Sequence, residues 1–249
     1  MKLIEDVIST LQDAQVKEVR IGLHWTAVIV ERNGALSCGL ASTVNNTHHE
    51  EGVPDVKQAG SLCDMNGLAL ANLALSSSSI ENSIGIAAIN AMLVPEPSKW
   101  VEINAEHVIA EKGAGKSVAI IGSFPFVSRI KDGLKKLYVF DLNPKAGEYS
   151  PRQMEQILPA VDLIAVTGMT LVNHTLEGIL QYCNPDAIKM IMGPSTFLSD
   201  VLFDYGFHLV SGAHVEQIEP ALQAMSEGGT FKQVHRAGVK LVTMAQANI

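Results

Sequence analysis

Cysteine is scarce in this chain of 249 residues: Cys38, Cys63 and Cys183 are odd in number, widely spaced and free of any CxxC pair. A disulfide framework is therefore not expected, and a reducing, cytoplasmic setting is. Positive charge is also short, with 18 Lys and Arg against 26 Asp and Glu and a formal net charge of −8. An acidic chain without a Lys/Arg run lacks the electrostatic footprint of a nucleic-acid binder. Long apolar runs are missing too. The longest, Leu68 to Leu75, contains Asn72 and runs into four serines, so no membrane span is expected. The opening residues Met1-Lys2-Leu3-Ile4-Glu5-Asp6 turn acidic before an apolar signal region can form. There is no GxGxxG, no internal repeat and no long low-complexity tract.

What is present is a core: 47% of residues are hydrophobic and 18% charged, outside the range of a disordered chain. Ile4, Val7, Ile8 and Leu11 fall at helical spacing and predict a helix over 3–13. Val16, Val19 and Ile21 open a first strand, Trp25 to Glu31 forms a second, and Leu36 to Ala41 a third. Asn33-Gly34 between the last two tolerates positive φ at both positions and signals a hairpin. Residues 42–60 read as a polar loop, followed by helices at 61–75 and 80–93, the second with Ser79 as N-cap. Pro95 and Pro97 end that helix and mark a boundary between units 1–94 and 95–249. From there strands (118–122, 137–140, 163–166, 187–192, 208–210) alternate with helices (124–133, 151–157, 173–181, 198–205, 214–225). That alternation implies crossovers and a parallel sheet. The fold class is thus α/β: a small antiparallel meander with helices, then a parallel-sheet unit.

Several segments carry chemistry-capable residues. Gly115-Lys116-Ser117 resembles the end of a phosphate loop, but the first glycine of that motif would be Ala110, and the segment precedes its strand; a surface turn is the better account. Gly122-Ser123-Phe124-Pro125 occupies the first strand–helix turn. Asp141 ends the next strand, where an acidic group can bind a ribose hydroxyl or simply be a solvated aspartate beside an Asn143-Pro144 turn. Thr167-Gly168-Met169-Thr170 and Gly193-Pro194-Ser195-Thr196 follow two further strands. In this reading Thr170 is an N-cap whose hydroxyl accepts from the Asn173 N–H in the first turn, and the remaining free N–H groups favour an anionic or polar ligand; helix capping by Thr170 or Asn173 alone is the alternative. Three such turns at the carboxyl ends of neighbouring parallel strands define a ligand crevice. His48-His49-Glu50-Glu51 is the densest group of metal-capable side chains, with Cys38 and His24 on the preceding strands as further ligands; an exposed polar loop is the alternative. His174, His208, His214 and His235 are scattered, and Cys63 and Cys183 read as small helix residues.

Taken together, Ser83-Ile84-Gly85-Ile86-Ala87-Ala88-Ile89-Asn90-Ala91, Gly122 to Pro125, Phe140 to Pro144, Thr167 to Leu176, Gly193 to Gly206 and Ser211-Gly212 resemble the family described as "Putative heavy-metal chelation" over residues 16 to about 230. The resemblance implies an enolase-N-terminal-like domain joined to a Rossmann-like domain, with a polar cleft between them and a role in binding or chelating heavy metals. It departs from the family pattern in carrying Asp141 where glutamate is common and Phe197 where proline is common.

The expected function is therefore binding of a metal or small molecule in that cleft. The expected contacts are Gly122, Asp141, Thr167, Thr170, Asn173, Gly193 and Ser195, with Asn45 and Asn46 closing over them. His48, His49 and Cys38 are the metal candidates, for a transition metal ion. The alternatives are an enzyme using a nucleotide-like cofactor such as S-adenosylmethionine in the same crevice, with Asp141 on its ribose, and a non-catalytic homo-oligomeric scaffold.

Overall fold

The Asn33-Gly34 turn takes positive φ at both residues, 53° and 78°, the geometry that matches the twist of a hairpin. It joins strands β2 (Trp25–Arg32) and β3 (Ala35–Ser42), and β1 (Gln15–Ile21) pairs with β2 on the other side. The result is the expected antiparallel meander, in the order β1-β2-β3. The computed structural model describes residues 1–44, 52 and 54–246. Asn45, Asn46, His48 and His49 lie outside them.

The helix expected at 3–13 stops early: α1 is Lys2–Ser9. The helix expected at 61–75 is broken. A 3₁₀ turn at Leu62–Asp64 ends in extended Met65, then Asn66 caps α2 (Gly67–Ala71) by accepting from Ala69 N–H. An Asx cap in mid-segment restarts the helix, which apolar periodicity alone does not show. The following helix, α3 (Ser79–Met92), is capped by Ser78 rather than Ser79. It is apolar on every side and correspondingly buried, as a central helix must be. Two glycines let it sit close to its neighbours. A Cβ on Gly39 would lie 2.1 Å from Ala87 O, and one on Gly85 1.9 Å from Ala74 N.

Beyond the prolines come β4 (Trp100–Val101), α4 (Ala105–Lys112), β5 (Ser117–Ile121), α5 (Val127–Ile130), β6 (Lys136–Phe140), α6 (Met154–Ile157), β7 (Leu163–Thr167), α7 (Met169–Val172), α8 (Leu176–Leu180), β8 (Ile188–Met192), α9 (Val201–Asp204), β9 (Leu209–Val215), α10 (Ile218–Ser226), α11 (Phe231–Arg236) and β10 (Val239–Ala245). The seven-stranded sheet runs β4-β10-β9-β8-β7-β5-β6. From β9 to β6 every pair is parallel, but β10 pairs antiparallel with both β9 and β4. The sheet is mostly parallel, not wholly so. The strand β10 is not among the strands expected from the sequence, because Lys240 and Thr243 interrupt its apolar residues.

The residues of β5 face two cores. Val118 and Ile120 pack with Val108, Ile109 and Ile130 of α4 and α5. Ala119 and Ile121 join a cluster that contains α1, α3, Leu171, Val172 and Leu176. That second cluster is continuous between the meander unit and the large sheet. The outer face of the meander, with Ala27, Ile29, Cys38 and Leu40, packs on Leu222 and Met225 of α10 and Val234 of α11.

Candidate functional site

Within the parallel part, the chain visits the strands in the order second, first, third, fourth, fifth: β6-β5-β7-β8-β9. The connection after β6 must cross to the far side of β5. The carboxyl ends of β5 and β7 are thus a topological switch point, the place where open α/β sheets bind ligands. The turns there are glycine-bearing for steric reasons. Gly122 has φ +110° and Gly193 φ +119°. A Cβ on Gly122 would press on Thr167 at 3.0 Å, and one on Gly168 would meet Thr196 Oγ1 at 2.6 Å. Gly122 N–H donates to Phe140 O, Gly168 N–H to Met192 O and Gly193 N–H to Ser211 O, so the turns are stitched to neighbouring strands.

The N-terminal unit closes one side. Ser42, at the end of β3, donates its N–H to Ser195 Oγ at 2.9 Å, and Ser195 Oγ donates to Ser42 Oγ at 3.3 Å. Asn90 Nδ2 donates to Leu40 O and to Pro194 O. Asn82 Nδ2 donates to Val172 O, and His174 Nε2 bonds Ala74 O at 2.8 Å. Val44 N–H donates to Ser83 Oγ. A seam of short polar side chains therefore runs along α3, α7 and the turn after β8.

The structure places Gly122, Thr167 and Gly193 at the carboxyl ends of β5, β7 and β8, and Asp141 just after β6. Asp141 is half-buried; its Oδ1 accepts from Asn143 N–H in a local turn. Exposed Leu142 and Met169 stand at the ends of β6 and β7, the strands either side of β5. The predicted cap at Thr170 is corrected. Thr170 is buried inside α7, and its hydroxyl donates to Thr167 O. Asn173 does not open a helix either. Its N–H donates to Met169 O, ending α7, while its Oδ1 accepts from Thr175 N–H and Thr175 Oγ1. His174 then takes φ 59°, which separates α7 from α8. Continuous apolar spacing through 169–180 concealed that break. Ser195 is buried, and its hydroxyl joins the two units at Ser42.

Two residues of the seam were not among the expected ligand contacts. Asn82 Oδ1 and Thr196 Oγ1 are buried side-chain atoms without a partner among the described residues. Buried polar atoms are paired in the great majority of cases. A polar residue in the first turn of an otherwise apolar helix was the available signal for Asn82.

Cys38, expected as a metal ligand, faces the apolar core formed with α10 and α11. Burial pushes its thiol up to about 12. Among the described residues no group of three or more His, Cys, Asp or Glu side chains is placed to hold a metal ion. His208 and His214 both have pKa values lowered chiefly by burial. His208 Nδ1 accepts from Lys189 N–H, and the His214 ring packs on Trp100. No helix among the described residues is long and apolar enough to cross a membrane.

The fold defines an α/β protein with a small three-stranded antiparallel sheet and a larger, mostly parallel sheet. Two family models, both described as "Putative heavy-metal chelation", match residues 4–93 and 104–244, and the chain belongs to that family. An uncharacterized protein of Methanocaldococcus jannaschii is 26% identical over 220 residues, covering 85% of this chain and 83% of the relative. A crystal structure of a DUF364-family protein of unknown function from Pyrococcus horikoshii superposes with a TM-score of 0.82 at 26% identity over 97% of each chain. Another from Desulfitobacterium hafniense gives 0.80 at 23% identity over 98% of each and shows the same fold.

Proposed function

We propose that this protein binds a heavy metal or a small polar ligand in the cleft between units 1–94 and 95–249. The observation that carries this reading is the meeting of the Gly122, Thr167-Gly168 and Gly193 turns at the switch point, under the end of β3. The description of the family supports a metal as the ligand or as part of it. The described cleft residues offer oxygen atoms, from Asp141 and Thr167, which suit hard cations better than soft ones. Softer metals need imidazole or thiolate, and His48 and His49 are the candidates for that role. Elemental analysis of tag-free protein, followed by titration with Zn²⁺, Ni²⁺ and Co²⁺, tests the reading. Near-stoichiometric metal is expected, and His48→Ala with His49→Ala should weaken binding by a large factor. His235→Ala should not, because His235 lies on α11, in a separate C-terminal segment. Unchanged affinity in the double variant removes those histidines from the site.

A second reading has its own support. Asp141 ends the second strand of the parallel series, where a carboxylate can take a ribose hydroxyl. Exposed apolar Leu142 and Met169 follow β6 and β7, the strands on either side of β5. An enzyme using a nucleotide-like cofactor such as S-adenosylmethionine fits this half of the crevice. Metal-free protein that binds an adenine-containing compound would favour it.

A further inference from the structure

A cavity of about 360 Å³ lies within the N-terminal unit, between the segment around Lys57 and Gln58, the helical turns at 62–75 and the first turn of α3. It is separate from the cleft and is of a size that takes a small molecule. Leu62, Met65, Leu73 and Leu75 provide apolar wall. The polar end is Glu81, which is 2% exposed. Its Oε1 accepts from Lys57 N–H at 2.9 Å and its Oε2 from Ser76 Oγ at 2.5 Å. Both donors are neutral, and no Lys, Arg or His among the described residues forms an ion pair with it. Each carboxylate oxygen can accept again, and a buried carboxylate is costly to leave without a counter-charge. The N-terminal end of α3 lowers that cost without supplying a full counter-charge.

We propose that this cavity is a second binding site, for a small amphipathic primary amine. The ammonium group donates to Glu81, and the apolar tail lies on Leu62, Met65, Leu73 and Leu75. An ammonium at a buried carboxylate forms charge-assisted hydrogen bonds, stronger than those of a neutral donor of the same shape. The site therefore selects by charge at one end and by apolar contact at the other.

Thermal-shift and calorimetric titrations with isoamylamine, against isoamyl alcohol as the uncharged isostere, test this in the full-length protein. The amine is expected to raise Tm and to bind about tenfold more tightly than the alcohol. Glu81→Gln should remove that preference. Leu73→Trp, which fills the cavity and leaves the carboxylate in place, should abolish amine binding. Equal binding of amine and alcohol, no binding of either, or an amine preference that survives Glu81→Gln overturns the proposal. So does amine binding that survives Leu73→Trp in a folded variant.

Discussion

Asp141 is where a single residue bears most directly on function. Asp141→Asn keeps an oxygen to accept from Asn143 N–H and so preserves the local turn, while removing the charge. If the crevice holds a ribose-bearing ligand, that loss should weaken S-adenosylmethionine binding about tenfold or more, since hydrogen bonds to charged groups contribute roughly 1.5–3 kcal/mol. Calorimetric titration would show it, with Tm unchanged; equal affinity would take Asp141 out of the site. His208 makes a pH-dependent prediction. Burial first, and the Lys189 charge second, lower its pKa below the usual value of 6.5. The folded state therefore holds His208 neutral while the unfolded chain takes up the proton. Stability contributed by the neutral ring is complete above about pH 6.5 and declines as pH falls toward the folded-state pKa. Melting between pH 8 and pH 5 should show this decline. His208→Asn, which retains an acceptor for Lys189 N–H, should flatten it; an identical slope would assign the decline elsewhere, His214 first.

At the scale of elements, α3 is the piece on which the N-terminal unit is assembled. It packs on the meander through Gly39 and on the turn at Ala74 through Gly85, at distances that admit no side chain. A methyl group at Gly85 would collide with backbone, which cannot rotate away as a flexible side chain can. Gly85→Ala should therefore destabilise the protein by about 3 kcal/mol and lower Tm by roughly 5–10 °C. A differential scan settles it; an unchanged or raised Tm, as expected for alanine in an ordinary helix interior, would show that α3 shifts freely. The same close packing explains why its first turn can deliver Asn82 to Val172 and Ser83 to Val44.

For the molecule as a whole, one buried cluster extends from α1 and α3 to the central strands of the large sheet. Ser195 and Asn90 tie the meander to the turn after β8, and Trp25 donates to Gly229 O and packs on Phe231. Separate unfolding of the two units would expose that shared apolar surface. Urea unfolding should accordingly be a single transition, with tryptophan fluorescence and far-ultraviolet circular dichroism coinciding. Two resolved transitions would show that the seam contributes little to stability and that the cleft opens easily.

Local pattern in the sequence was sufficient for the meander, the buried α3, the alternating strands of the parallel series and the glycine turns at their ends. These depend on period-two or helical spacing and on residues that tolerate positive φ, all properties of neighbours along the chain. Other features depended on partners far away in sequence. Antiparallel β10 is stabilised by pairing with β9 and β4, not by its own composition. Cys38 is a buried thiol because α10 and α11 cover that face of the meander. Thr170 and Asn173 close their local turns, and Ser195 spans the two units, because the chain breaks at His174 and β3 approaches the turn after β8. Hydrogen-bond partners are chosen by proximity in space, and that proximity exists once the two units have packed.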